Sequence, residues 1–147
     1  MSEGWNLRTA HLASWVEPGS MVCDFGCGDR ALRDALPAGC DYIGWDRREI
    51  DLASDDWPRL PPHDVAVLAG VLEYVEAPAK VLARMTAPAL LLSYEPGGSK
   101  DARRIQGWVS DLSATETLDA AAQAGYGLVA VRMWKKQWLG KFRRLAC

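Results

Sequence analysis

The sequence predicts an α/β fold: a mostly parallel sheet with helices on both faces and an antiparallel hairpin at its C-terminal end. Three observations predict it. Short apolar runs alternate with stretches of helical spacing. The runs at 21–25, 65–69 and 89–93 are almost continuously apolar, as strands buried on both faces are. The last stretch instead reads as two strands joined through Lys135-Lys136, with no helix between them.

Taken in order, residues 6–16 carry Leu7, Leu12, Trp15 and Val16 at helical spacing, and Pro18-Gly19 ends them. Residues 21–25 form a strand. Residues 29–36 place Ala31, Leu32, Ala35 and Leu36 on one helical stripe, stopped by Pro37 and Gly39. A second strand spans 42–45, and the next clear one spans 65–69. Only four residues separate Asp46 from Asp51, whereas a parallel crossover needs at least ~10 to 12. The sequence therefore predicts a rudimentary strand at 50–52, or none, and a loop over 53–63. Ala77-Pro78 opens a helix with proline in its first turn, followed by Val81, Leu82 and Met85. Ser113-x-x-Glu116 is a capping box starting a helix that ends at Gly125. Strands at 128–133 and 138–145 close the chain. There is neither an internal repeat nor a linker, so one domain over 1–147 is expected.

A chain of 147 residues buries roughly 68 to 70% of its unfolded surface and needs no staple. Cys23, Cys27, Cys40 and Cys147 form no paired C-x-x-C, so reduced thiols and no metal are expected. The N-terminus has no leader pattern, and no apolar run approaches the ~18 residues of a membrane span. A cytoplasmic protein is expected. The formal charge is −2, but it is unevenly spread. The segment 126–147 holds six basic residues and no acid, against eleven basic and nineteen acidic residues before it. Trp134, Trp138 and Phe142 interleave with those cations, as on some nucleic-acid surfaces. Alternate hairpin residues face opposite sides, so inward aromatics and outward lysines account for the same string. Nucleic acid is not an expected partner.

The chemistry centres on Asp24-Phe25-Gly26-Cys27-Gly28. An apolar run that ends in an acid and two alternate glycines reads as a strand turning sharply into a helix. Its glycines permit φ > 0 and close approach of a ligand to the backbone, and amides at a helix N-terminus favour a carboxylate. Asp46 ends the next strand, where a carboxylate can accept two bonds at once. The run Gly26-Cys27-Gly28-Asp29-Arg30-Ala31 also satisfies the G-x-G-x-x-A dinucleotide fingerprint. Against NAD stands a chain too short for a separate substrate domain.

These residues resemble the class I, Rossmann-like, S-adenosylmethionine-dependent methyltransferases. An acid two residues before the first glycine is characteristic of that family's first motif. Tyr42-Ile43-Gly44-Trp45-Asp46 is similar to its second, and the stretch 65–75 ending Leu72-Glu73-Tyr74-Val75 resembles its fourth strand and exit. The resemblance covers most of the chain, with the sheet shortened between the family's second and fourth strands. It implies S-adenosyl-L-methionine as cofactor and S-adenosyl-L-homocysteine as product. It places Asp24 beside the methionine moiety, Asp46 on the ribose hydroxyls, and Asp51 with Leu52 at the adenine. Gly26, Cys27 and Gly28 of the turn, with Ala69 at the end of the fourth strand, complete the cofactor set. Arg30 departs from the family, which often carries a third glycine there.

Methyl transfer asks the protein mainly for positioning and, for a hydroxyl acceptor, proton removal. Glu73, Tyr94, Glu95 and His11 are the candidate bases. Tyr74 stands where relatives carry histidine. The polar segment 93–113 suits a mobile flap over the acceptor. It resembles a Gly-Trp-Val-Asn-His-Leu-Ser pattern of small methyltransferases from bacterial surface-polysaccharide clusters, with Ser110-Asp111 replacing Asn-His. Asp111 reads as a helix-start acid or a substitute base. The expected function is O-methylation of a small-molecule or glycan acceptor. The alternative is a non-catalytic cofactor-binding module or partner subunit. A protein partner or homo-oligomer is compatible with both.

Overall fold

The computed structural model describes the chain from residue 3 to residue 146, with side chains from Leu7 onward. Its elements are α1 (Glu3–Ala13), β1 (Met21–Phe25), α2 (Ala31–Ala35), β2 (Asp41–Trp45), β3 (Val65–Ala69), α3 (Pro78–Leu82), β4 (Ala89–Tyr94), α4 (Lys100–Ile105), α5 (Ala114–Gln123), β5 (Tyr126–Trp134) and β6 (Gln137–Arg144), with a 3-10 turn at Leu72–Tyr74.

The strands form one six-stranded sheet in the order β2-β1-β3-β4-β6-β5. Pairings among β1 to β4 are parallel, and β6 is antiparallel to both neighbours. The expected architecture is therefore observed. From β1 the chain steps outward to β2 and then returns to β3 on the other side of β1. Such a reversal opens a crevice at the carboxyl ends of the two central strands.

Each face of the sheet carries its own core, because successive strand residues point to opposite faces. On one face Phe25, Leu68, Leu90, Leu92 and Phe142 pack with Leu82 of α3 and Ala121 of α5. On the other, Val22, Val67, Leu91 and Leu139 pack with Leu12 of α1 and Leu32 of α2. The capping box of α5 is formed in both directions, Ser113 Oγ accepting from Glu116 N and Glu116 Oε1 from Ser113 N, each at 3.0 Å. Trp134, Trp138 and Phe142 are buried while Lys135 and Lys136 are exposed, as the alternation required. Among the described residues no helix is long and apolar enough to cross a membrane.

Three elements differ from the sequence reading. Helix α1 ends three residues early, because Trp15 and Val16 donate to carbonyls only three residues back, at 3.1 and 3.0 Å. Val16 nevertheless reaches the core. Helix α2 begins at Ala31, since Arg30 takes a left-handed φ of 63° and Asp29 Oδ1 accepts from Ala31 N. As the sequence allowed, no strand forms at 50–52 and residues 53–63 are a loop. The loop after β2 lays Trp57 against Phe25, ring centroids 5.8 Å apart, and Arg84 caps Trp57 at 4.8 Å. One aromatic on a loop thus covers apolar surface that a helix would otherwise bury.

The third difference is the segment expected as a flap. It contains α4, capped by Ser99, whose Oγ accepts from Ala102 N at 3.1 Å. The segment is tied down by Arg103, only 3% exposed. The Arg103 guanidinium donates to the carbonyls of Glu95, Gly97 and Ser110 at 2.7 to 3.0 Å and lies over the Trp108 ring at 5.0 Å. Backbone carbonyls with no strand partner take their hydrogen bonds from one buried fork of donors.

Candidate functional site

The site is built on the crevice between β1 and β3. Strand β1 delivers Asp24 and Phe25 to a turn in which Gly26 and Gly28 adopt φ of 78° and 54°. A Cβ on Gly26 would lie 2.5 Å from Val71 Cγ2, so both conformation and space demand glycine there. Around Gly28 a Cβ would meet nothing within 4 Å. The Gly28 side of the turn is open to a ligand. The amides behave differently from expectation: Gly26 N and Cys27 N both donate to the Trp45 carbonyl, at 2.6 and 3.2 Å. Those donors hold β2 to the turn and do not point at a carboxylate. Cys27 turns its side chain inward, where a Cβ on Gly44 would lie 2.9 Å from its Sγ.

Asp24 is the buried charge of the site, 4% exposed. The Tyr42 hydroxyl, from β2, donates to its Oδ2 at 2.6 Å. Burial pushes the Asp24 carboxyl up to about 6, against the Tyr42 hydrogen bond and the positive charges of Arg8 and Arg30, which pull it down. Burial and the neighbouring Asp24 push the Tyr42 phenol up, which keeps it a donor.

Arg8, from α1, closes the crevice from above. Its Nη1 donates to Gln137 Oε1 at 3.2 Å and would stand 2.8 Å from a Cβ on Gly70. Burial lowers the Arg8 guanidinium, while Glu73 and Asp24 act to raise it. Beneath it the space lined by Thr9, Asp24, Gly26, Cys27 and Ala69 amounts to about 60 Å³. Ala69, at the end of β3, therefore lies at the turn. A wider apolar depression of about 470 Å³ lies on the far side of α1 against Ala35 and Pro37, without a titratable group.

On the β2 side, Asp46 is already engaged. Arg48 donates to its Oδ2 from Nη2 at 2.7 Å and from Nε at 3.1 Å, and Arg48 N donates to Oδ1 at 2.8 Å. These bonds hold the Asp46 carboxyl below its usual range. Arg30 donates to the Gly44 carbonyl at 3.3 Å and to Glu49 Oε1 at 3.0 Å. Because the Trp45 carbonyl faces β1, strand alternation turns the Gly44 carbonyl to the outer edge of the sheet. Arg30 thus caps an edge that has no third strand to cover it. Asp51 is exposed and folds onto its own loop, its Oδ1 accepting from Ala53 N at 3.0 Å. Leu52 packs against the core.

The four candidate bases do not converge. Glu73, 2% exposed in the 3-10 turn after β3, accepts from Glu95 N at 3.1 Å through Oε2. Its Oε1 is buried with no hydrogen-bond partner among the described residues. Burial raises the Glu73 carboxyl, opposed by Arg8 and Arg103. Tyr94 lies wholly in the core. Its hydroxyl accepts from Arg103 Nη2 at 3.0 Å and from Leu112 N at 3.1 Å. It donates to Ser110 Oγ at 2.9 Å, because the Ser110 proton goes to the Leu72 carbonyl. A hydroxyl so saturated holds the 93–113 segment and has no proton site left for an acceptor. Glu95 contributes its backbone to that same anchor, and His11 faces away toward β5, its Nδ1 2.7 Å from Arg132 Nη1. Asp111 pairs with Arg104 at 2.8 and 2.7 Å, which holds its carboxyl low.

Arg8, Tyr42 and Arg103 were invisible as functional residues in the sequence. Each acts across at least six positions, and no local pattern marks such a contact. The one usable signal was the alternation of β2, which puts Tyr42 on the same face as Gly44.

No protein-family model matches the chain, and no curated protein does. Solved structures do. Magnesium protoporphyrin IX methyltransferase (ChlM) of Synechocystis PCC 6803, solved with bound SAH, superposes with a TM-score of 0.68 at 15% identity, over 96% of this chain and 84% of that one. A chain of the complex between the Haloferax volcanii Trm112 methyltransferase activator and the putative methyltransferase gives 0.71 at 18% identity, over 97% and 91%. The fold is that of the class I methyltransferases. The [4+2]-cyclase SpnF also superposes, with a TM-score of 0.69 at 13% identity over 97% of this chain and 82% of that one. A methyltransferase fold therefore leaves the reaction to particular side chains.

Within this methyltransferase fold, the chemistry of the crevice fits the amino-acid end of S-adenosylmethionine: an acid at Asp24 for an ammonium, a guanidinium at Arg8 for a carboxylate, and open backbone at Gly28. The space lined by Arg8, Asp24 and Ala69 takes in neither Asp46 nor Asp51, so it corresponds to one end of the site only.

Proposed function

We propose that the chain binds S-adenosyl-L-methionine in the crevice between β1 and β3 and transfers its methyl group to an oxygen of a small-molecule or glycan acceptor, leaving S-adenosyl-L-homocysteine. The observation that carries this reading is the buried Asp24 carboxylate, held by Tyr42 and faced by Arg8 at the switch point of a methyltransferase fold. In this reading Asp24 takes the ammonium end, the Gly26 to Gly28 turn lies along the ligand, and Asp46 takes the ribose hydroxyls. Asp51 and Leu52 flank the adenine from the loop after β2.

The cofactor supplies an electrophilic methyl whose bond to sulfur breaks as the bond to the acceptor oxygen forms. The chain's part is to orient the acceptor and remove its proton. Glu73 is the base of choice: one carboxylate oxygen is held by Glu95 N, the other lacks a partner among the described residues, and burial raises its proton affinity toward the useful range. The glycan class of acceptor rests on the sequence resemblance in 93–113. A second reading, a cofactor-binding chain completed by a protein partner, is favoured by candidate bases that do not converge on one point.

Calorimetric titration with S-adenosyl-L-homocysteine, with NAD as the control ligand, tests the cofactor. Binding of the former alone, lost in Asp24→Ala, is the expected outcome; binding of NAD alone, or of neither, overturns it. Methyl transfer to candidate acceptors, with and without partner proteins, then separates the enzyme from the module.

A further inference from the structure

Strand β5 forms one edge of the sheet and is nine residues long. One side of its backbone pairs with β6; the other has no strand beside it. Leu128, Val131 and Met133 lie opposite Phe142, Gly140 and Trp138 of β6 and share their face of the sheet. All three are exposed, Met133 by 63%. They sit beside the Trp138 and Phe142 rings, which close over Gly140 and leave no room for a Cβ there. An apolar shelf thus runs along an unpaired edge. The edge carries few of the usual protections: one bulge, between Leu128 and Ala130, no proline, and a single charge, Arg132, on the opposite face.

The hairpin carries six cations. Lys135 and Lys136 stand at its turn and Arg144, which also donates to the Met85 carbonyl at 3.0 Å, at its other end on the face of the shelf, while Arg132, Lys141 and Arg143 lie on the opposite face. Among the described residues none of the six forms an ion pair with a carboxylate. A second copy of this edge would bring six cations against six, which like-charge repulsion disfavours. A lipid surface would leave the free N–H and C=O groups of β5 without partners. A nucleic acid offers no strand backbone to complete the ladder.

We infer that β5 is a docking edge for an acidic, extended segment of another protein, which adds a seventh strand to the sheet with its apolar side chains on Leu128, Val131 and Met133 and its carboxylates among the hairpin cations. Main-chain bonds supply affinity and the alternate side chains supply selectivity, as in other strand additions. The site lies away from the β1/β3 crevice and does not depend on the methyl-transfer reading.

The test titrates the isotope-labelled full chain with a nine-residue peptide carrying valine at three alternate positions and glutamate at both ends, and with the same peptide carrying lysine at both ends. The glutamate peptide is expected to shift the amide resonances of β5 and slow their hydrogen exchange at least tenfold. Val131→Asp and Met133→Asp, both checked for unchanged thermal unfolding, should each weaken that binding tenfold or more. The lysine peptide should leave β5 unperturbed. Equal response to both peptides, or response to neither, overturns the proposal. So does protection of β5 by the chain's own concentration, by phosphatidylserine vesicles or by a single-stranded oligonucleotide in place of the peptide.

Discussion

The Tyr42 hydroxyl donates to Asp24 Oδ2 at 2.6 Å across two adjacent parallel strands, and among the described residues it is the one hydrogen bond from a neutral side chain that holds the buried charge of the crevice. The Asp24 carboxyl still titrates near 6, because loss of water outweighs that bond and the two arginines together. A folded value above the unfolded 3.8 means the native state binds the proton more tightly. Asp24 contributes its stability fully below about pH 4, loses it as pH rises toward about 6, and contributes nothing favourable beyond.

Asp24→Asn should therefore stabilise the chain at neutral pH. A shift of about two pKa units corresponds to about 3 kcal/mol as an upper bound, and the gain should vanish near pH 4, where Asp24 is neutral. Urea unfolding at pH 4 and pH 7 measures it. The same variant should lose S-adenosyl-L-homocysteine, the pattern of a residue kept for binding at the expense of stability. A neutral variant no more stable at pH 7 than at pH 4, relative to the parent, would show that Asp24 titrates as an ordinary carboxylate.

Arg48 and a ligand compete for Asp46. Asp46→Ala should weaken S-adenosyl-L-homocysteine binding by about 1 to 3 kcal/mol, as expected for hydrogen bonds to a charged group. Arg48→Ala frees the carboxylate and should tighten binding by less than tenfold. The Arg48 side chain is 85% exposed, so thermal unfolding should move little. Calorimetry on the two variants checks the pair of opposite signs.

Arg30 combines a left-handed backbone with contacts to Gly44 and Glu49. Arg30→Ala and Arg30→Gly remove the same contacts, but only glycine relieves the left-handed φ, at roughly 1 kcal/mol. The alanine variant should be less stable than the glycine variant by about that amount in parallel denaturant titrations. Equal stabilities would mean that the turn relaxes once the side chain is gone.

Arg103→Met keeps much of the buried volume while removing every donor. The carbonyls of Glu95, Gly97 and Ser110 then lose a buried partner each, and a cost of about 3 kcal/mol or more is expected. Hydrogen exchange should accelerate at the Val109 and Ser110 amides, which donate to Glu73 at 2.8 and 3.2 Å, before it does in β3 or β4. Uniform acceleration would place Arg103 in the global core and not in a local anchor.

Periodicity, turn residues and the capping box are written within a few positions of one another, so the sequence by itself determined the strand-helix order, the glycine turn after β1, the α5 start and the inward aromatics of the hairpin. The short step from Asp46 to Asp51 likewise determined that no helix fits there. What covers the gap was decided by tertiary structure, where Trp57 meets Phe25 across the face of the sheet. The site divides in the same way. Asp24, Gly26 and Gly28 were legible because a strand end and a tight turn have local signatures. Tertiary structure alone brought Arg8 to Gln137, 129 positions away, and Tyr42 to Asp24, 18 positions away, and spent Tyr94 on Arg103. The reason is physical: a hydrogen bond between distant side chains depends on sheet register and helix placement, which no stretch of a few residues encodes.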